Sequence, residues 1–271
     1  MLWDTHMHSQ FSGDCRSTPQ SMVKAAISKG LCGICFTDHM DYDYPTNPQD
    51  PVVFEFDTAQ YRCAIEKLQQ QYAGKLDILR GIELGLQPHL AGRHTWLLQE
   101  QPFDFVIGSS HIVHGADPYY ASYYEGKTES EAYMEYFTSI LENIQAFHNF
   151  DVYGHIDYVV RYGPNKNKDY SYQKYADILD AILKKLIHLG KGIEVNTAGF
   201  KYGLGHPNPC EDLLKRYREL GGEILTLGAD AHQPEHVAYD FDKLPRLLHD
   251  CGFSYYTVFK NRKAEFISLE G

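Results

Sequence analysis

Phe105-Val106-Ile107-Gly108-Ser109-Ser110-His111 runs from an apolar stretch into two hydroxyls and a histidine. A short apolar run of β-formers, bounded in this way, reads as a buried strand. The histidine then stands where the strand runs out. The same arrangement recurs along the chain. Asp4-Thr5-His6-Met7-His8 follows a short apolar start, and Thr37-Asp38-His39 ends Gly33-Ile34-Cys35-Phe36. Glu83 ends Ile78-Leu79-Arg80-Gly81-Ile82, and Gly154-His155-Ile156-Asp157 follows Val152-Tyr153. Gly228-Ala229-Asp230-Ala231-His232 ends Ile224-Leu225-Thr226-Leu227. Six strand ends that each carry a nitrogen or oxygen ligand are hard to obtain by chance. In a barrel of parallel strands the C-terminal strand ends converge on one face, where active sites sit. The pattern predicts a site for several metal ions, and so metal-assisted hydrolysis.

Helix signals fill the spaces between these runs. Thr18-Pro19 reads as a cap and first helical residue, leading to Lys29-Gly30. Asp57 opens a helix that ends near Gly74, and His89 to Gln101 is a weaker one. Thr128-Glu129-Ser130-Glu131 is a capping box for a helix to about Asn149. A helix over residues 172–189 ends at Gly190, and Asn208-Pro209-Cys210-Glu211 reads as another start. A last helix is expected over 242–250, and the tail 255–269 suggests a pair of short strands. Roughly seven strand–helix units predict an α/β fold with a parallel sheet, in a single domain over 1–271. Residues 40–56, 112–127 and 161–171 read as long loops, where substrate selectivity would live.

The chain has 271 residues and a net charge of −11. Such an acidic balance argues against a nucleic-acid surface, though metal ions can reverse the local charge for a phosphate substrate. No apolar run is long enough to span a membrane, and the first motif follows Met1 so closely that no leader is expected. The six scattered cysteines read as free thiols of a cytoplasmic protein. Cys32-Gly33-Ile34-Cys35 has redox or zinc spacing, but Cys35 lies in an apolar run and reads as a buried thiol.

Each motif taken alone has an ordinary reading. His6 and His8 can be surface histidines, Asp14 a turn residue, Glu83 an exposed acid, and His111 or His155 a hydrogen-bonded structural histidine. Taken together they favour a metal site. Alternation puts His6 and His8 on one strand face, and Asp230 and His232 likewise. Asp38 should point away from His39, towards a supporting role, and Asp41 and Asp43 read as polar loop residues. Glu194 and Asn196 end another strand and are placed to orient ligands.

The ordered set of these motifs resembles the polymerase and histidinol phosphatase (PHP) family, over nearly the whole chain. Residues 103–111, 154–162 and 194–199 resemble its stand-alone histidinol-phosphate phosphatase branch. The resemblance implies a distorted (β/α)7 barrel, TIM-barrel-like, with up to three divalent ions of Zn, Mn or Fe. It implies His6, His8, Glu83 and Asp230 around one ion; Glu83, His111 and His155 around a second; and Asp14, His39 and His232 around a third. Ala198 and Lys201 stand where Ser and Arg are the family's usual residues.

The implied activity is hydrolysis of L-histidinol phosphate to histidinol and phosphate, a step of histidine biosynthesis. Asp230 is the candidate for orienting or deprotonating the nucleophile. Arg161 is the candidate phosphate clamp, with Lys201 a second. His114 is a candidate proton donor to the leaving group and a substrate contact, with water the alternative. The partner is a small phosphorylated substrate, without nucleic acid or membrane. The rivals are a phosphodiesterase of the same family, an amidohydrolase, and a non-catalytic metal-binding module. Oligomeric state is not legible in these residues.

Overall fold

The apolar runs become strands whose C-terminal ends share one face. A computed structural model describes residues 2–45 and 51–270. Its strands are β1 (Trp3–Met7), β2 (Gly33–Phe36), β3 (His39–Met40), β4 (Asp77–Gly85), β5 (Phe105–Ser109), β6 (Val152–Tyr153), β7 (Gly192–Asn196) and β8 (Leu225–Gly228). They run parallel in the order β1-β2-β4-β5-β6-β7-β8, with β3 also beside β4. The seam between β8 and β1 closes through backbone bonds. The Asp230 amide donates to the His6 carbonyl at 2.8 Å, and the His8 amide to the Ala231 carbonyl at 2.9 Å. The result is the TIM-barrel-like architecture that the resemblance implies, with seven strands along the path round the barrel and β3 beside β4.

The helices are α1 (Pro19–Ser28), α2 (Thr58–Gln71), α3 (Ala91–Glu100), α4 (Glu129–Ala146), α5 (Ala176–His188), α6 (Ala198–Lys201), α7 (Glu211–Glu219) and α8 (Leu244–Asp250). Their starts follow the sequence signals. Thr18 accepts from the Ser21 amide, Asp57 from those of Ala59 and Gln60, and Thr128 and Glu131 cap each other reciprocally. Helix α4 stops short of Asn149, because Phe147 turns to extended backbone. That turn buries the Phe147 ring beside His94 and Phe150. Asn208 does not cap α7. Cys210 does, without a side-chain bond, while Asn208 is drawn into the site described below. The tail forms the antiparallel pair β9 (Tyr255–Lys260) and β10 (Lys263–Ser268), against β8. The expected loop 40–56 is described except for residues 46–50, which lie outside the described residues.

Asp4 holds the seam from inside. One carboxylate oxygen accepts from the Ala229 amide at 3.0 Å and the His6 amide at 3.3 Å; the other accepts from the Ala238 amide at 2.8 Å. Asp4→Ala would leave three backbone donors without their acceptor. A loss on the order of 2–3 kcal/mol is expected, read by urea denaturation of metal-free protein. A loss below about 0.5 kcal/mol would show that water replaces the carboxylate.

Candidate metal centre

Glu83 lies in β4 between its register partners His39 in β3 and Ile107 in β5, wholly buried. Its two oxygens face different histidines. Oε1 is 3.0 Å from His155 Nε2 and 3.3 Å from His111 Nε2. Oε2 is 3.1 Å from His6 Nε2, 3.5 Å from His8 Nε2 and 3.1 Å from His39 Nδ1. The Ser109 hydroxyl donates to Oε1 at 2.6 Å and fixes the carboxylate's rotation. Asp230 Oδ1 adds a contact of 3.3 Å to His8 Nε2. A separate corner is formed by Asp14 Oδ2, 3.1 Å from His232 Nε2 and 4.0 Å from His39 Nε2. Nine residues chosen as ligands from the sequence thus stand together: His6, His8, Asp14, His39, Glu83, His111, His155, Asp230 and His232.

A second layer sets which ring nitrogen points inward. The Nδ1 of His6 donates to Glu194 at 2.6 Å, that of His8 to Ser12 at 3.0 Å, and that of His111 to Asp41 at 2.6 Å. The Ser12 hydroxyl itself donates to Asp38, so it can only accept from His8. His232 Nδ1 donates to the Asp230 carbonyl. With Nδ1 carrying the proton, the Nε2 atoms of His6 and His8 present lone pairs to each other at 3.2 Å. Two lone pairs at that distance repel unless a proton or a metal cation lies between them. The buried Nδ1 of His39 and Nε2 of His232 lie 3.1 Å from carboxylate oxygens of Glu83 and Asp14 without hydrogen-bond geometry. The donor set fits divalent ions with mixed imidazole and carboxylate ligation.

The electrostatics agree. Burial would raise the Glu83 carboxyl, but the imidazoles of His6, His39 and His111 hold it well below its ordinary range. Asp230 is likewise held down, against burial, by His6, His8 and Arg161. Burial opposes the charged form of His39, yet Glu83, Asp14 and Asp41 bring it up to about 9. His6 and His111 are raised by their carboxylate neighbours despite burial, whereas burial keeps His8 and His155 low. Two of these residues have backbones in the left-handed region, His155 at φ 23° and Asp230 at φ 52°. Such strain collects at functional sites, where the surrounding structure over-determines it.

The centre opens into a cavity of about 490 Å³ that Arg161, Lys201 and several tyrosines line. Arg161 is buried, not a free loop cation. Its Nη1 donates to Asp230 Oδ2 at 2.9 Å, Nη2 to Asn196 Oδ1 at 2.9 Å and Nε to Asn208 Oδ1 at 2.7 Å. Three of the five guanidinium N–H groups are thereby used, and two are left for a ligand. Lys201 Nζ lies 3.5 Å from the Asp230 carbonyl. His114 corrects the sequence expectation. Its side chain is 55% exposed, pairs with Glu135 and Glu142 on α4, and does not line the cavity. Asp41 is a second correction, for it is buried against His111 and not part of a solvated loop. Its place two residues after His39 was the available signal, since alternate strand residues share a face. Ser109, two residues before His111, carried the same signal, whereas Ser12 and Asn208 had none.

The PHP domain profile matches residues 4–198. The chain belongs to the PHP domain family. The histidinol-phosphatase of Lactococcus lactis is 33% identical over 266 residues, covering 97% of this chain and 96% of that protein. A crystal structure of the L. lactis histidinol phosphate phosphatase, complexed with zinc, L-histidinol and phosphate, superposes with a TM-score of 0.90. That match is at 33% identity and covers 97% of this chain and 98% of the other. A Listeria monocytogenes structure at 19% identity shares the fold, with a TM-score of 0.78, covering 89% of this chain and 99% of that one. The PHP centre here is accordingly a multinuclear divalent metal site.

Glu83→Gln tests the bridge. An amide offers one neutral oxygen and turns two N–H donors towards imidazoles. Metal content by mass spectrometry should fall by more than one ion per chain; an unchanged stoichiometry would mean that Glu83 does not join two positions. Proton linkage gives a second test. In metal-free protein His39 keeps its proton up to about 9, and its ion pairs contribute stability that is complete below its ordinary 6.5 and lost as pH rises through about 9. Metal must displace such protons, so zinc affinity should climb between pH 6 and 9 with proton release in calorimetry, while the metal-free protein melts lower at pH 9.5 than at pH 7. Zinc binding without proton uptake by buffer would contradict this charge assignment.

Proposed function

We propose that this protein is a metal-dependent phosphomonoesterase that hydrolyses L-histidinol phosphate to L-histidinol and phosphate, in histidine biosynthesis. The observation that carries the reading is a full-length likeness to a relative whose structure holds zinc, L-histidinol and phosphate, beside clusters of histidine and carboxylate here that could hold metal ions. Among the described residues no helix is long and apolar enough to cross a membrane. We place the enzyme in the cytoplasm, where a biosynthetic step with free thiols belongs.

Ions held by His6, His8, Asp14, His39, Glu83, His111, His155, Asp230 and His232 would neutralise phosphate oxygens and supply a nucleophile from water at neutral pH. The chain's own groups do the positioning. Asp230 is ionised, with Oδ2 held by Arg161 and Oδ1 turned to His8, so it can orient an attacking water without rotating. The two remaining Arg161 N–H groups suit two oxygens of a phosphate dianion. Lys201 adds a cation on the same wall, although burial lowers its pKa. With His114 turned to α4, water is the donor left for the departing alkoxide.

The reading is tested with a panel of phosphomonoesters and one diester, with metal analysis on the same sample. L-histidinol phosphate should be turned over best, and chelation should abolish turnover. Preference for the diester would favour the phosphodiesterase rival. Arg161→Ala should lower kcat/KM for the monoester by about 2–4 kcal/mol and for the diester by less, with Arg161→Lys rescuing only in part. Near wild-type efficiency for Arg161→Ala would remove the guanidinium from phosphate recognition and leave that role to Lys201 and the ions.

A further inference from the structure

The turn after β6, Gly154-His155-Ile156-Asp157, carries a carboxylate that the metal centre does not use. Asp157 is fully buried. Its Oδ1 accepts from Asn208 Nδ2 at 2.5 Å, and its Oδ2 accepts from the Cys210 amide at 3.0 Å, where α7 starts. Burying a carboxylate is costly, and two neutral N–H donors offset only part of that cost. The bond to Cys210 ties the turn to α7. The bond to Asn208 leads back to the cavity.

Asn208 is also fully buried, and its Oδ1 accepts from Arg161 Nε at 2.7 Å. An asparagine amide has an acceptor at one end and two donors at the other, and the two ends are nearly alike in size. Turned over, it would aim N–H groups at a guanidinium that has only N–H groups to offer. Asp157 opposes that turn, because a carboxylate accepts from Nδ2 and has nothing to donate to Oδ1. The other side of the guanidinium is built in the same way. Asn196 Oδ1 accepts from Arg161 Nη2, while its Nδ2 donates to Glu194 Oε2 at 3.1 Å. The rings of Tyr158 and Tyr202 also face the guanidinium, with centroids 5.3 and 5.2 Å from its carbon. With Nε on Asn208, Nη1 on Asp230 and Nη2 on Asn196, one N–H of each Nη is left over.

We infer that Asp157 is a positioning residue for phosphate recognition: by fixing the Asn208 amide it sets the direction of the two free N–H groups of Arg161. The inference deepens the proposed function and rests on it, since it takes the anion in the cavity to be a phosphate. Asp157 touches neither the substrate nor the ions and acts through Asn208 alone.

The test is a double-mutant cycle of Asp157→Asn with Arg161→Ala. An amide at 157 has one acceptor for the donors of Asn208 and Cys210, so one of them then faces another N–H. Two readouts are taken on metal-loaded protein: kcat/KM for L-histidinol phosphate, and affinity for inorganic phosphate by calorimetry. Metal content and melting temperature are recorded for each variant. Asp157→Asn should lower both readouts by about tenfold with metal content unchanged. In the Arg161→Ala background it should change either by less than about twofold, because its route to the phosphate is gone. A tie between the turn and α7, and nothing more, would lower the melting temperature and leave both readouts within about twofold of wild type. That result would overturn the inference, as would equal losses with and without Arg161. A fall in metal content would overturn it too, since the effect would then pass through His155. Should Asp157→Asn fail to fold, Asn208→Ala takes its place in the cycle, and losses independent of Arg161 would overturn the inference. If wild type fails to hydrolyse L-histidinol phosphate the functional reading falls, while the inorganic-phosphate readout still decides the role of Asp157.

Discussion

A carboxylate in the middle of a protein stays ionised only where cations or donors meet both of its oxygens. Glu83 is that group here, and much of the barrel mouth answers to it. One oxygen meets His111, His155 and Ser109; the other meets His6, His8 and His39. Those partners come from β1, β3, the ends of β5 and β6, and the turns beyond them, so the carboxylate ties separate strands to one point. The crowding has a backbone requirement. A Cβ on Gly228 would lie 2.2 Å from Glu194 Oε1 and 2.4 Å from His6 Cβ. Glycine there lets β8 approach closely enough for Glu194 to hold the His6 ring.

Around this point the polar groups act in series. Asp41, Ser12 and Glu194 each accept from the Nδ1 of a histidine of the centre, and Asp38 in turn accepts from Ser12. Arg161 links the centre to the substrate wall, since it holds Asp230 on one side and Asn196 and Asn208 on the others. Asn208 itself donates to Asp157, just beyond His155. A phosphate would therefore meet groups that are already oriented, which is where most catalytic advantage in phosphoryl transfer arises.

Helix starts were legible because capping is local. Thr18, Asp57 and Thr128 bond to amides within three residues, and no distant neighbour can easily override that. The strand ends were legible because burial on both faces leaves an unbroken apolar run, and a ligand after it breaks the run visibly. Ends set by packing were less so. Phe147 stops α4 for the sake of its ring, which no capping rule anticipates.

The order of motifs in the chain was enough for the parallel barrel, the family and the nine histidines and carboxylates that gather at the barrel mouth, since each one's position depends mostly on the strand that precedes it. The roles of Arg161, Asp41, Asn208, His114 and Asp157 depend on what faces them across the barrel. Arg161 meets Asp230 from 69 residues away, and Asp157 meets Asn208 from 51. His114 lies three residues beyond His111 in sequence, yet the left-handed turn at His114 (φ 49°) accompanies a side chain directed to Glu135 and Glu142 on the surface. A loop's direction is set by the sum of distant contacts, and only the folded chain brings those contacts together.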